Sequence, residues 1–374
     1  MIPVFEPWIG EEEIAAVTNA LRKGEISGSF GEYIPKFENE FSAFCGCAYG
    51  VAVSNGTTAL HLAVRAAGIK EGDEVLVSAS TNIASALSIV HNNAIPVPID
   101  SEPDTWNLNI DLIDSLITPK TKAIIVVHLF GFPVNMEKLM KKAKQYNLIV
   151  IEDCAESHGA TVNGKMTGSF GDMACFSFYA NKIITTGEGG MVTTNNVDYA
   201  EKLRLLRNLA FTKPRFWHEQ AGYNYRMTGY QAAMGLAQFK KIDVILEHKI
   251  RVANLYNKYL SQIRGIQLPP SADWAKNVYW MYALQIKNEY GISRDELMEV
   301  LYNTGIETRT FFCPMNIQPC FAELKGFRKI ECPVAEKMWE EGLYLPSSVN
   351  LAEEQIKYIS DKIRTAVDVC LTAQ

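Results

Sequence analysis

Short apolar runs rich in β-branched residues alternate along the chain with segments whose apolar residues recur at helical spacing. The runs lie at Val51–Ser54, Glu74–Ser78, Ile95–Ile99, Lys122–His128, Leu148–Glu152, Ala174–Phe178 and Met191–Thr194. Helical spacing is clearest over Thr57–Ala67 and Glu137–Tyr146. Strands that are apolar on both faces and alternate with helices are typical of a parallel sheet covered by helices. The pattern therefore predicts an α/β domain.

The C-terminal third has a different pattern. One long helix is predicted over Ile242–Ile263, and a strand over Tyr282–Ile286 follows it, with helices over Ser293–Asn303 and Ala352–Cys370. We therefore predict two domains, a large α/β domain over residues 1–245 and a small α+β domain over residues 246–374. Ligands of a parallel sheet bind beyond the carboxyl ends of its strands, so chemistry is expected there.

Composition excludes several classes of protein. The chain has 374 residues, 48% of them hydrophobic, and Lys+Arg 36 against Asp+Glu 42 give a net charge of −6, which argues against disorder and nucleic-acid binding. No run approaches the roughly 20 apolar residues of a membrane span, and no secretory signal precedes the first helix. The 8 cysteines are scattered, so we expect reduced thiols in a cytoplasmic protein and no metal site.

The turn after the first strand is a candidate anion site. It reads Ser54-Asn-Gly-Thr-Thr58, and a helix is predicted to begin at Thr57. Free N–H groups at a helix start attract anions, and Gly56 allows the backbone to approach them closely. Taken alone, the same residues also fit a simple Thr N-cap.

Two other strand ends carry ionisable side chains. Asp153 ends an apolar strand, where a carboxylate can face a cationic ring nitrogen. Lys182 follows another strand and precedes two apolar residues, so partial desolvation would lower its pKa and favour an imine with a carbonyl. A solvated strand end and a surface lysine are the alternatives for each one alone. Together with the anion site, they meet the three requirements of pyridoxal phosphate.

At these segments the chain resembles the DegT/StrS family of sugar-nucleotide aminotransferases. The shared motifs extend over essentially the whole chain, at Gly72–Val75, Ile117–Ile124, Ile151–Glu156, Gly168–Asp172, Asn181–Met191 and Gly222–Thr228. The resemblance implies fold-type I architecture, as in aspartate aminotransferase. In that architecture a large domain with a mostly parallel seven-stranded sheet is joined to the small C-terminal domain.

The resemblance also implies roles in binding pyridoxal phosphate. Lys182 would attach the cofactor and carry the proton in both half-reactions, and Asp153 would pair with the ring nitrogen. Glu156 would lie near the ring hydroxyl. The phosphate would be held by Gly56, Thr57, Thr58 and Ser177.

Other implied roles concern the substrate and the partner subunit. Asn224 is expected to reach the cofactor phosphate of a neighbouring subunit, which predicts a homodimer with shared active sites. Arg309, His218 and Glu188 are the predicted substrate-binding residues. His218 equally fits a structural role. The expected substrates are glutamate and a nucleotide-linked 4-keto-6-deoxyhexose, with a GDP-linked sugar favoured over dTDP- and UDP-linked ones.

Three positions depart from the pattern of relatives. Asn82 stands where they carry an aromatic residue that stacks on the cofactor ring, so ring stacking is expected to be either lost or replaced by a polar contact. Thr310 and Asn316 also differ, which leaves the nucleotide and the sugar open. The alternatives are a sugar dehydratase, although relatives with that activity carry His at the position of Lys182, and a catalytically idle homologue.

Overall fold

The computed structural model describes residues 1–214 and 216–373. The strands in chain order are β1 (Tyr49–Val53), β2 (Glu74–Ser78), β3 (Ile95–Ile99), β4 (Thr121–Val127), β5 (Ile149–Asp153), β6 (Thr161–Val162), β7 (Lys165–Met166), β8 (Met173–Ser177), β9 (Gly190–Thr194), β10 (Ile266–Gln267), β11 (Ala275–Lys276), β12 (Tyr282–Ile286), β13 (Arg309–Thr310) and β14 (Gly342–Leu345). The α-helices are α1 (Glu11–Arg22), α2 (Tyr33–Phe44), α3 (Gly56–Ala66), α4 (Ala84–Val90), α5 (Ile113–Leu116), α6 (Met136–Tyr146), α7 (Val197–Arg207), α8 (Gly229–Phe239), α9 (Ile242–Leu260), α10 (Arg294–Asn303), α11 (Pro319–Ala322), α12 (Pro333–Glu341) and α13 (Glu353–Ala373).

The largest sheet has seven strands in the order β1-β9-β8-β5-β4-β2-β3. Strand β9 runs antiparallel to both of its neighbours, and the other neighbouring pairs are parallel. These are the seven runs predicted from the sequence. The predicted fold class is therefore confirmed. Strand β3 contains Pro96 and Pro98, and its place at the sheet edge follows because proline cannot donate a hydrogen bond to a second neighbour.

Both faces of this sheet are covered, which explains why its strands are apolar without interruption. Along β4, Ile125 packs with Leu62 of α3 on one face, whereas Ile124 and Val126 belong to the cluster that contains Leu139 of α6 on the other. Side chains alternate between the faces of a strand, so each face needs its own apolar set.

The C-terminal region forms a four-stranded antiparallel sheet in the order β10-β12-β14-β13. Helix α9 packs on two clusters: Ile245 lies with the residues around β8, whereas Val252 and Tyr256 lie with the small sheet. The division at residues 245 and 246 stays a prediction, and this change of cluster within α9 supports it. The start of the chain also lies in this region, since the Ile2 N–H donates to Gly305 O at 2.6 Å.

Two expectations from composition have structural counterparts. Among the described residues, no helix is both long enough and apolar enough to cross a bilayer. All 8 cysteines are free thiols, and Cys154 beside the strand end of β5 is fully buried.

A buried ionic cluster holds the loop before β8 against β5. The Glu152 carboxylate accepts hydrogen bonds from the backbone N–H groups of Gly168, Phe170 and Gly171 at 2.7–2.9 Å and from His128 Nε2 at 3.2 Å. His128 Nδ1 accepts from the Val134 N–H, so Nε2 carries the proton. Burial alone would raise the pKa of Glu152, but these hydrogen bonds outweigh it and hold the pKa below its usual value.

Replacing Glu152 with Gln should destabilise the fold, because an amide NH₂ group would then face backbone N–H donors. We expect the free energy of unfolding at pH 7 to fall by about 3 kcal/mol in urea denaturation. The folded-state pKa is depressed, so the contribution of Glu152 is full above about pH 4.5 and is lost as the pH falls through the folded-state value. The difference between wild type and variant should therefore shrink in acid.

Glu201→Gln is the matched control, since it makes the same change at an exposed position of α7. It should alter the free energy of unfolding by less than about 0.5 kcal/mol. Equal losses of unfolding free energy in the two variants would show that the buried cluster stabilises the fold no more than an exposed glutamate does.

Candidate active site

A cavity of about 470 Å³ lies at the carboxyl ends of the parallel strands of the large sheet. Predicted residues in its lining are Gly56, Thr57, Asn82, Asp153, Glu156, Ser177, Lys182 and Glu188. Strands β1, β5 and β8 share one direction, so the residues that follow them meet at the same edge. The anion-binding turn, the carboxylate and the lysine therefore belong to one site.

Helix α3 begins against the end of β8. Asn55 caps it, since Asn55 Oδ1 accepts from the Thr58 N–H at 2.9 Å and the Asn55 N–H donates to Thr58 Oγ1 at 3.2 Å. Thr58 is thus used by the cap and lies outside the cavity lining, whereas the N–H groups of Gly56 and Thr57 have no acceptor within the helix. A Cβ on Gly56 would lie 2.7 Å from Ser177 Cβ, so glycine is required here. The turn offers an anion two N–H groups at the positive end of a helix.

Asp153 is a buried carboxylate with few partners in the protein. Its Oδ2 accepts from Ser85 Oγ at 2.7 Å, and its Oδ1 accepts from the Ala155 N–H at 3.1 Å. Burial raises the pKa of Asp153, whereas the hydrogen bond from Ser85 and the nearby Lys182 act in the opposite direction. Ser85 is a buried partner of Asp153 that the sequence reasoning missed. It also bonds Thr81 Oγ1 at 2.8 Å, which orients its hydroxyl toward Asp153.

Lys182 faces two acidic side chains across the cavity. Burial lowers the pKa of Lys182, and the carboxylates of Glu156 and Asp153 oppose the shift. Glu156 is itself 3% exposed and accepts from the Phe130 N–H at 2.7 Å. Burial raises its pKa to about 7, although Lys182 and the Phe130 N–H lower it. The site therefore holds an amine whose pKa is lowered by burial beside a carboxyl group whose pKa is raised to about 7, and both can take part in proton transfer.

Aromatic side chains of the C-terminal region form the opposite wall. Trp280, Phe312 and Tyr344 all line the cavity. Lys182 Nζ lies 4.0 Å from the centroid of the Trp280 ring, and Trp280 Nε1 donates to Asn181 O at 2.7 Å. The sequence reasoning missed these residues, because nothing local connects them to Lys182. The aromatic sequence Tyr279-Trp-Met-Tyr282 beside a predicted strand was the available signal.

The model of the DegT/DnrJ/EryC1/StrS aminotransferase family matches residues 7–364. The chain belongs to this family. The GDP-perosamine synthase of Caulobacter vibrioides is 44% identical over 92% of this chain and 91% of that protein, and the GDP-perosamine synthase of Escherichia coli O157:H7 is 41% identical over 97% of both. The aminotransferase TlmJ from Streptoalloteichus hindustanus superposes with a TM-score of 0.93 at 27% identity, over 99% of this chain and 100% of that one.

Family membership confirms the recognition and the aminotransferase activity predicted from the sequence. Of the three positions that depart from the pattern of relatives, Asn82 is the one that lines the cavity. Asn82 is exposed there, and its Oδ1 accepts from the N–H of Ala84, the first residue of α4, at 3.0 Å. The Asn82 NH₂ group is the part of this side chain that can donate a hydrogen bond to a ligand.

The remaining predicted residues lie outside the cavity lining. Arg309 pairs with Glu307 at 2.5 Å and is more than half exposed. His218 Nδ1 lies 2.9 Å from the carbonyl oxygen of Leu209 on the surface. Asn224 is exposed too, in a segment that bridges to Asn208. Their roles toward substrate or a second subunit stay predictions.

Ser85→Ala tests the missed partner of Asp153. Loss of the hydroxyl removes a hydrogen bond to a buried carboxylate, so the pKa of Asp153 should rise further. We expect kcat at pH 7 to fall about ten-fold and the acidic limb of the pH–rate profile to move to higher pH.

Ser88→Ala is the control on the same helix. Ser88 is also 0% exposed, but its hydroxyl donates to the Ser85 carbonyl at 2.7 Å and does not contact Asp153. Its kcat should stay within about two-fold of wild type with an unchanged profile. The same kcat and the same pH–rate profile in the two variants would show that Ser85 has no particular role in the site.

Proposed function

We propose that this aminotransferase uses pyridoxal phosphate to move an amino group from glutamate to a nucleotide-linked 4-keto-6-deoxyhexose. One arrangement carries the proposal: Lys182, Asp153 and the start of α3 line a single cavity. An amine of lowered pKa, a buried carboxylate and an anion-binding turn are the three groups that this cofactor needs.

The residues present fit the cofactor. The Asp153 carboxylate is 5% exposed, and its hydrogen-bond donors among the described residues are the Ser85 hydroxyl and the Ala155 N–H. A protonated ring nitrogen would therefore supply a positively charged partner for this buried carboxylate. The cradle between Gly56 and Ser177 is too tight for a Cβ and leaves backbone N–H groups available to a phosphate. Lys182 would provide the amine for covalent attachment.

When bound, pyridoxal phosphate supplies a carbonyl that takes up the amino group and a ring that accepts the released electron pair. Lys182 would bind the cofactor and, as a free amine, take and return the proton at the reacting carbon. Asp153 would hold the proton on the ring nitrogen. Glu156 would accept a hydrogen bond from the ring hydroxyl when ionised. Trp280 and Tyr344 would exclude water on the substrate side.

The relatives named GDP-perosamine synthase support a GDP-linked substrate, and we favour conversion of GDP-4-keto-6-deoxymannose to GDP-perosamine. Thr310 and Asn316 depart from those relatives, so a dTDP- or UDP-linked keto sugar is the second candidate. Lys182 at the attachment position favours amination over the dehydration expected of relatives with His there.

A substrate panel tests the proposal directly. With glutamate as donor, GDP-, dTDP- and UDP-linked 4-keto-6-deoxy sugars are offered and the product mass is measured. We expect an aminated product and a kcat/KM for the GDP sugar at least about ten-fold above the others. Lys182→Ala should lower turnover more than about a thousand-fold. A deoxygenated product would replace the proposal by the dehydratase, and full turnover by Lys182→Ala would end it.

We further propose that the active unit is a homodimer in which Asn224 reaches the cofactor phosphate of the second subunit. Exposed apolar side chains close to this residue in the sequence support a buried surface there, with Phe211 39%, Trp217 56% and Tyr230 39% exposed. Large apolar side chains gathered on one surface are typical of protein interfaces.

Mixing inactive variants tests the shared site. In a mixed dimer of Lys182→Ala and Asn224→Ala chains, one site would carry both changes and the other neither. Each variant alone should be nearly inactive, and equal amounts refolded together should recover about a quarter of wild-type activity. A mixture no more active than its better parent, or a fully active monomer in light scattering, would contradict the shared site.

A further inference from the structure

One buried lysine is not explained by the active-site chemistry. Lys249 lies on α9, is 2% exposed, and donates to the carbonyl oxygens of Trp280 at 2.7 Å and Ser347 at 2.5 Å. Burial is the sole cause that lowers its pKa, to about 7, so no carboxylate of the described residues compensates it. Burying an amine without a counter-ion costs free energy whether it keeps its charge or gives up its proton, and stability alone does not account for Lys249.

The two carbonyl acceptors belong to segments that are already joined. Ser347 Oγ accepts from the Tyr282 N–H at 2.8 Å and donates to Leu345 O at 2.7 Å. Lys249 therefore closes a ring of hydrogen bonds around the start of β12 and fixes the carbonyl group of Trp280. The position of this peptide sets where the indole can lie.

The indole in turn contacts the lysine of the active site. Its ring lies 4.0 Å from Lys182 Nζ, and its N–H donates to the carbonyl of Asn181, the residue before Lys182. A cation close to an indole face is stabilised electrostatically. Trp280 is thus held at its backbone by Lys249 and at its ring by the segment that carries the reactive amine.

We propose that Lys249 is a positioning residue that holds Trp280 against the amine of Lys182. It acts through the Trp280 carbonyl and contacts neither substrate nor cofactor. The inference rests on the proposed function only for what Lys182 does in turnover. The titratable groups that face Lys182 directly are Asp153, Glu156 and His158, and the variants below leave all three unchanged.

The first test uses the full chain without cofactor. Trace labelling with acetic anhydride, followed by peptide mass analysis, gives the pH midpoint at which Lys182 becomes reactive. In Lys249→Met the indole loses its anchor, so the midpoint should fall by about 0.5–1 pH unit. Lys249→Arg keeps donors for both carbonyls and should restore the wild-type midpoint. Lys249→Gln, a milder change, should give an intermediate shift.

Tyr256→Phe is the matched control. Tyr256 is also on α9 and 0% exposed, and its hydroxyl donates to Pro346 O at 3.0 Å beside Ser347, but no hydrogen bond links it to Trp280. It should leave the Lys182 midpoint unchanged. A wild-type midpoint in both Lys249→Met and Lys249→Gln, or an equal shift in Tyr256→Phe, would overturn the proposal.

Turnover provides the second test. Lys249→Met should lower kcat about ten-fold with KM within about two-fold, and it should have almost no further effect in a Trp280→Phe background. The same fold-change in both backgrounds would show that Lys249 does not act through Trp280. If wild type shows no aminotransferase turnover, the proposed function fails, and the labelling midpoint still decides the role of Lys249.

Discussion

Two consecutive buried carboxylates at the end of β5 set the constraint on which the site depends. Side chains alternate along a strand, so Glu152 and Asp153 point to opposite faces of the sheet. Glu152 is satisfied within the protein by three backbone N–H groups and His128. Asp153 has a hydroxyl and one N–H and faces the cavity. The Glu152 carboxylate fixes the loop before β8, whereas the Asp153 carboxylate can still pair with a cationic group of a ligand.

This asymmetry explains how the fold supports a reactive site at its sheet edge. The loop fixed by Glu152 leads into β8, and β8 ends at Ser177 against Gly56. The same strand precedes Lys182. Stabilising interactions on one face of the sheet therefore set the positions of the groups that lack partners on the other face. A ligand of complementary charge can form the hydrogen bonds and ion pairs that the protein itself does not make with these groups.

Much of this was readable from the sequence because it depends on short segments. The strands of the large sheet are apolar runs between turn residues, and β2 and β3 have the predicted bounds. Asp153 ends a strand, and Lys182 and Gly56 each follow one, so their meeting at one edge follows from parallel topology. Thr58 shows the limit of such reasoning, since a helix start contains both the cap and the anion site, and only the geometry separates them.

What sequence could not provide were contacts between distant segments. Ser85 reaches Asp153 across 68 positions, and Trp280 reaches Asn181 across 99. Neither residue has a local pattern that marks it as functional, because serine and tryptophan in these settings are equally typical of helices and cores. The opposite holds for three residues that the sequence did single out, Arg309, His218 and Asn224. Their predicted roles involve a substrate or a second subunit, so the structure of one chain does not test them.

The cavity walls come from both the large-sheet region and the C-terminal region, which gives the small sheet a part in the chemistry. Lys182 lies on the loop after β8, whereas Trp280 and Tyr344 lie beside and within the small sheet. Helix α9 packs on both regions and carries Lys249, so a change in its packing shifts an aromatic wall relative to the amine. A displacement of about 1 Å at reacting groups can cost about a hundred-fold in rate. The packing of α9 and its buried Lys249 amine is therefore expected to matter for catalysis as well as for folding.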